Sequence, residues 1–352
     1  MQGPSAGRRR GLQSRLQAAL HFAFFSHGSG MRYNYTSVKE GESGMPSIEA
    51  MRFNRILAMA SAPKSVADID FAAEREKNRR RRLPKCPEGM KVESADFSGI
   101  HAEVITNTTD KARKDTVIWY IHGGGFTTGA ARERRQITQY LCGSYGYTVV
   151  ANDYRLAPEN IMPAGFDDCV LFYKELVNRA GAGHILVMGE SCGGTLALSV
   201  SLEAKKENIP LPCGIAAFSP CVNQAYRYPS HLGNAGTDYM LHDSVNSEGQ
   251  YEVEFGTKHP DPEVLHSIYA SPIFGDYKGL PPIFLSATDT EALYDDSVEL
   301  CRKLKAGNHP CELEIKKNVF HAYPMFPIIP EARETIADMF AFFYRQGVLE
   351  WP

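Results

Sequence analysis

The sequence predicts an α/β fold, with a mostly parallel central sheet that helices cover on both faces. Short, nearly continuous apolar runs alternate with longer helical stretches along most of the chain. Strands that are apolar on both faces are typical of a parallel sheet buried between helices. The apolar runs are 116–121, 148–152, 185–188, 214–218 and 283–287, and the helical stretches include 165–178, 195–207, 295–305 and 331–344.

Composition excludes several classes of protein. The 352 residues are 43% hydrophobic and 22% charged, as in ordinary soluble proteins, and the net charge of -3 argues against nucleic acid or an anionic membrane as partner. No uncharged apolar run reaches the roughly 18 residues that span a bilayer, so we expect no stable membrane insertion. The eight cysteines form no C-x-x-C pair, which disfavours zinc and redox sites. We expect reduced thiols in a cytoplasmic protein rather than disulfides.

Residues 1–44 are expected to lie outside the fold. The segment is rich in arginine and has no acidic residue before Glu40, and its apolar patch at 18–25 is short and interrupted. A transit peptide and a poor secretion signal are the alternatives. We favour an extension that is disordered or not native, with Met31 or Met45 as the true first residue.

The remainder is predicted to divide into a helical cap segment, 45–86, and a main domain, 87–348. Apolar residues recur at helical spacing through 50–60, and the arginines at 79–82 suit the C-terminus of a helix. The main domain is expected to open with a β-hairpin formed by about residues 92–106. The segment 222–280 is rich in Tyr, Asn, His, Gly and Pro, and we interpret it as a loop-and-helix insertion into the main domain.

The pentapeptide around Ser191 predicts a nucleophile. Residues 189–193 read Gly-Glu-Ser-Cys-Gly, a G-x-S-x-G motif that is weak by itself. Here a short apolar strand, 185–188, directly precedes it and a helical stretch directly follows it. This is the strand–turn–helix setting that a nucleophile elbow requires. A plain strand-to-helix turn is the alternative interpretation.

The glycines at 123–125 predict backbone donors for an oxyanion. They follow His122 and a predicted strand, and they expose N–H groups with no side chain in the way. A phosphate-binding loop is the competing interpretation. It is disfavoured because neither G-x-x-x-x-G-K-[ST] nor G-x-G-x-x-G is present.

Together these motifs resemble the hormone-sensitive-lipase branch of the α/β hydrolases. The segments 153–159, 163–168 and 279–282 extend the likeness, which covers about 90–346 in the expected order. The resemblance implies the α/β-hydrolase fold and a serine carboxylesterase that acts on short- to medium-chain esters. It also implies no cofactor or metal, a cap built from 45–85 and part of 222–280, and a homodimer formed through the last strand and helix. Arg155 is assigned an internal ion pair.

The resemblance also implies the other site residues. The family orders its triad as Ser, acid, His, and His321 follows the strand-like stretch 312–315 as the family's histidine does. Counting from the two prolines at 281–282 places the acid at Glu291, where Asp is usual. Asp289 is the alternative acid. The oxyanion would be held by the N–H groups of Gly124, Gly125 and Cys192, and the Cys192 thiol raises the question of sensitivity to thiol reagents.

Two other functions use the same framework. An amidase or deacetylase would need the same triad, because the machinery does not choose between ester and amide. A non-catalytic receptor for a small ligand would keep the pocket and lose the triad histidine. The presence of His321 argues against the receptor.

Overall fold

The computed structural model describes residues 45–60, 66–83 and 85–351, and an eight-stranded sheet forms their centre. The strands are β1 (Met90–Phe97), β2 (Ile100–Asn107), β3 (Val117–Ile121), β4 (Thr148–Asn152), β5 (Ile185–Glu190), β6 (Gly214–Phe218), β7 (Ile283–Thr288) and β8 (Cys311–Lys316). Their order is β1-β2-β4-β3-β5-β6-β7-β8. The hairpin β1–β2 and the pair β2–β4 are antiparallel, and the pairs from β4 through β3 to β8 are parallel. The predicted mostly parallel α/β sheet is confirmed.

Helices connect these strands and cover both faces of the sheet. They are α1 (Ile48–Ala60), α2 (Phe71–Arg79), α3 (Arg135–Tyr145), α4 (Ala164–Ala180), α5 (Cys192–Lys206), α6 (Pro229–Gly233), α7 (Glu248–Phe255), α8 (Pro262–His266), α9 (Tyr294–Ala306) and α10 (Pro330–Arg345). The four helices predicted in the main domain lie within a few residues of their expected bounds. Helix α3 was not among them, although it buries Ile137 and Leu141 on one face. No helix in the described ranges combines the length and hydropathy needed to cross a bilayer.

The sheet separates two hydrophobic cores. Side chains alternate between the two faces of a strand, and β3 shows this directly. Trp119 packs in the core that includes Phe172 of α4 and Leu196 of α5, whereas Tyr120 packs in the core that includes Phe340 of α10. The strand is therefore apolar on both faces because each face meets a helical layer.

Two segments cover the end of the sheet where the parallel strands finish. Helix α1 buries Ala50 against the loop that follows β8, and Phe71 of α2 packs on Val253 of α7. Helix α2 begins at Phe71 because the Asp70 side chain accepts the N–H of Ala73 at 2.9 Å, an N-cap hydrogen bond. Helices α6, α7 and α8 all lie within 222–280.

Candidate active site

Ser191 lies in a sharp turn between β5 and α5. Its backbone angles are φ 54° and ψ -129°, a conformation that residues other than glycine rarely adopt. Two glycines allow this turn. A Cβ on Gly189 would lie 2.3 Å from the carbonyl oxygen of Gly193, and a Cβ on Gly193 would lie 2.2 Å from that of Ile121. The Ser191 N–H donates to the Phe218 carbonyl at 2.8 Å. The turn therefore projects the hydroxyl beyond the end of the sheet.

The structure brings Ser191, His321 and Glu291 together in one hydrogen-bonded chain. His321 Nε2 lies 2.9 Å from Ser191 Oγ, and His321 Nδ1 lies 2.7 Å from Glu291 Oε2. The second carboxylate oxygen accepts the N–H of Thr288 at 3.0 Å. A carboxylate on Nδ1 holds the proton there, which leaves Nε2 free to accept the serine proton. The Glu291 side chain therefore reaches the histidine while the Thr288 N–H holds its other oxygen.

The groups around His321 favour a positive charge on its imidazole ring. Burial by itself lowers the pKa of His321, but the hydrogen bond and the charge of Glu291 outweigh it, so its pKa is raised from the ordinary value. Both side chains are buried. The imidazolium formed by taking a proton from Ser191 is therefore stabilised where it arises.

Asp289 does not contact His321. Its carboxylate accepts the N–H of Asn318 at 2.7 Å, and its backbone carbonyl accepts the Asn234 amide at 3.1 Å. These contacts hold the loops on either side of the site. Of the two acids considered from the sequence, the geometry pairs His321 with Glu291.

The glycine loop after β3 faces the same cavity as Ser191. Gly124 has φ +129°, and a Cβ there would lie 2.2 Å from the Thr128 carbonyl oxygen. Gly124, Gly125 and Cys192 line a cavity of about 350 Å³ together with Ser191 and His321. Within the part of the chain that the structure describes, the N–H groups of Gly124 and Gly125 have no protein acceptor. Cys192 is the first residue of α5, where a helix leaves its N–H groups unpaired.

Segment 153–159 holds the glycine loop in place. The Tyr154 hydroxyl donates to the His122 carbonyl at 2.7 Å, and the two rings stack 4.2 Å apart. Arg155 forms an ion pair with Asp168 at 2.8 Å. The assignment of Arg155 to an internal ion pair is therefore confirmed.

A buried ion pair links the glycine loop to the elbow, and sequence reasoning missed it. Glu190 Oε1 accepts the N–H of Gly123 at 2.7 Å and pairs with Arg134 Nε at 2.5 Å. The Arg134 guanidinium also donates to the Gly123 carbonyl at 3.0 Å. The only sequence signal was the acid beside the nucleophile, because Arg134 lies among several arginines that look alike.

Removing Arg134 is expected to destabilise the protein strongly. The carboxylate of Glu190 is 1% exposed, so Arg134→Met would leave a buried charge unpaired and lower the free energy of unfolding by about 3–5 kcal/mol. Arg155→Met is the matched control, because Arg155 is 53% exposed and its pair is worth about 1 kcal/mol or less. Urea unfolding measures both. Equal losses in the two variants would contradict the role given to Arg134.

The Cys192 thiol is sequestered. Its Sγ accepts the N–H of Phe126 at 3.2 Å, and burial raises its pKa to about 11. Little thiolate is then present at neutral pH, and the thiolate is the reactive form. We therefore expect Cys192 to resist thiol reagents.

Comparison with known proteins identifies relatives of this chain. Residues 118–325 match the α/β hydrolase fold family. The chain is 30% identical to an acetyl-hydrolase of Streptomyces hygroscopicus over 237 residues, 66% of this chain and 76% of that protein. It is 28% identical to an ethyl acetate hydrolase of Pseudomonas putida over 234 residues, 64% of this chain and 71% of that protein.

A solved structure extends the likeness to the whole fold. The crystal structure of an esterase from the bacterial hormone-sensitive lipase family superposes with a TM-score of 0.74 at 28% identity, covering 86% of this chain and 99% of that one. The match at 118–325 spans more than half of the chain and includes the elbow, the glycine loop and His321. This chain belongs to the α/β hydrolase family, in its hormone-sensitive-lipase branch.

Proposed function

We propose that this protein is a serine carboxylesterase that hydrolyses short- to medium-chain carboxylic esters through an acyl-enzyme on Ser191. The observation that carries the proposal is the hydrogen-bonded chain from Ser191 through His321 to Glu291. It opens on the cavity that Gly124 and Gly125 also line. A nucleophile, a base, an acid that orients the base and unpaired N–H donors are the parts that acyl transfer needs.

In the proposed reaction His321 takes the proton of Ser191 while Oγ attacks the ester carbonyl carbon. The carbonyl oxygen becomes an oxyanion, which the N–H groups of Gly124, Gly125 and Cys192 stabilise. The intermediate collapses, the C–O bond breaks, and His321 returns the proton to the leaving alkoxide. Water then attacks the acyl-enzyme with His321 again as base, and the acid leaves while Ser191 recovers its proton.

The cavity supports the proposed preference for short- to medium-length acyl chains. Its volume of about 350 Å³ is near the lower end for small-molecule sites, which is about 300 Å³. Much of its wall is apolar, with Phe71, Leu241, Val253 and Met325 among the lining residues. The names of the Streptomyces and Pseudomonas relatives also refer to acetyl and ethyl acetate substrates.

A chain-length profile tests the proposal. We expect kcat/KM for p-nitrophenyl esters to be highest between acetate and octanoate, and to fall at least about tenfold by hexadecanoate, since each CH2 that finds no room loses about 0.8 kcal/mol of burial. p-Nitroacetanilide serves as the amide control. Absence of turnover for every ester from acetate to octanoate would reject the proposal, and faster turnover of the anilide would favour the amidase alternative.

We further propose a cytoplasmic location. All eight cysteines of the chain are free thiols. The sulfurs of Cys301 and Cys311 lie 3.9 Å apart without a disulfide bond. Thiols so close together persist in a reducing compartment, which supports the proposed location.

A further inference from the structure

The wall of the cavity contains the carboxyl group of Glu254, which has no role in the proposed reaction. Glu254 lies near the end of α7, in the inserted segment, and it lines the cavity that contains Ser191. Its side chain is almost fully buried. The Glu254 backbone carbonyl accepts the N–H of Met162 at 2.8 Å, which ties this end of α7 to the main domain.

One oxygen of this carboxyl group has no hydrogen-bond partner. Oε1 accepts the Gln250 amide at 2.8 Å, but Oε2 is buried and unpaired among the residues that the structure describes. The amide of Gln224 lies beside it, yet both of its polar atoms are also unpaired, so no well-formed hydrogen bond joins the two side chains. Buried polar atoms are normally paired, and an exception at the wall of a binding cavity points to a ligand.

The carboxyl group is held in its neutral form. Burial raises the pKa of Glu254 to about 8, although the Gln250 and Gln224 amides act in the opposite direction. At neutral pH most molecules therefore carry an acid group that can both donate and accept a hydrogen bond.

The other polar groups of this part of the wall are already engaged. The Ser244 hydroxyl donates to the Leu241 carbonyl at 2.5 Å. The Gln250 side chain accepts the N–H of Asn246 at 2.7 Å and donates to Glu254. Their neighbours Val245 and Val253 are apolar. A polar group on a substrate that enters here therefore meets Glu254 as its available partner.

We propose that Glu254 is a specificity-determining residue that hydrogen-bonds a hydroxyl group on the substrate. The preferred ester then carries a hydroxyl on its acyl or alcohol part rather than a plain alkyl chain. This inference rests on the proposed esterase function. A hydroxyl group matches a neutral carboxyl group because each can donate and accept, whereas a methyl group in the same place leaves Oε2 unpaired.

Isosteric ester pairs test the proposal, with one pair for each part of the substrate. Ethyl 3-hydroxybutanoate is compared with ethyl 3-methylbutanoate for the acyl part, and 4-hydroxybutyl acetate with pentyl acetate for the alcohol part. The measured quantity is the ratio of kcat/KM, hydroxyl over methyl, within each enzyme. We expect Glu254→Leu to lower this ratio about tenfold for one of the two pairs, the effect of one lost hydrogen bond to a buried group. We expect Glu254→Gln to retain most of the ratio.

Matched variants separate recognition from folding. Glu252→Leu makes the same change on the exposed side of the same helix and is expected to leave both ratios unchanged. Glu254→Met carries the test if the leucine variant does not fold, since a ratio within one enzyme is independent of the amount of active protein. Unchanged ratios in the leucine or methionine variant, in an enzyme that hydrolyses p-nitrophenyl acetate, would overturn this inference alone. A wild type that hydrolyses none of these esters would overturn the esterase function and this inference with it.

Discussion

Replacing Ser191 by alanine is expected to lower kcat for p-nitrophenyl butyrate by about 10⁶-fold, as loss of the nucleophile does in serine proteases. The reason is that no other hydroxyl group stands within reach of His321 Nε2, which lies 2.9 Å from Ser191 Oγ, among the described residues. The cavity and the backbone donors remain, so a residual rate of about 10³ to 10⁴ over water is expected from them. A stopped-flow burst of p-nitrophenol in the wild type, absent in the variant, measures the acylation step directly.

The control for this substitution is Ser201→Ala, on helix α5, which follows Ser191. The Ser201 hydroxyl is buried and donates to the Ala197 carbonyl at 2.8 Å, away from the cavity. We expect this variant to keep its activity within about twofold, since Ser201 bonds a carbonyl of its own helix and does not line the cavity. An alanine at 191 that retains activity within tenfold of the wild type would refute the assignment of the nucleophile.

Replacing Glu291 by alanine is expected to lower kcat by about 10⁴-fold, close to the cost of removing the acid of a protease triad. The fully buried carboxylate holds the His321 proton on Nδ1 and stabilises the imidazolium. Asp289→Ala removes a carboxylate two residues away that bonds the Asn318 N–H. We expect this matched change to cost less than about tenfold, because it affects a loop and not the base.

The pH profile distinguishes the electrostatic role of Glu291 from a steric one. Glu291 raises the pKa of His321, so loss of its charge in Glu291→Gln is expected to lower that pKa. His321 must be neutral to act as a base, and the acid limb of kcat/KM therefore moves to lower pH in the variant. An acid limb that stays in place would contradict the electrostatic role of Glu291. A silent Glu291→Ala together with an inactive Asp289→Ala would reverse the choice of acid.

Most of the strands could be predicted from the sequence, and helix α3 could not. The runs at 148–152 and 214–218 coincide with β4 and β6 because strands buried on both faces are apolar throughout. Helix α3 buries Ile137 and Leu141 but also Thr138 and Gln139, so its apolar stripe is weak in the sequence. Helix α2 begins at Phe71, after the Asp70 cap.

Some residues of the site could be predicted from the sequence, and others could not. Ser191 stood out because its motif, strand and helix are adjacent in the chain, and His321 because it follows β8 at short range. The sequence did not decide between Asp289 and Glu291 as the triad acid, since both follow the end of β7 and lie in the same region. Arg134 was missed because its partner Glu190 is 56 residues away and nothing local marks one arginine among several.

The sequence by itself determined the fold class, the family resemblance and the candidate nucleophile and base, because each depends on periodicity or on motifs of a few adjacent residues. Only the tertiary structure decided that Glu291 rather than Asp289 meets His321, that Arg134 neutralises Glu190, and that Glu254, in the wall of the cavity, has one unpaired oxygen. These are contacts between side chains that are far apart in the chain. The order of the parallel strands and the packing of the inserted segment bring them together, and local sequence does not encode which of several similar side chains will meet.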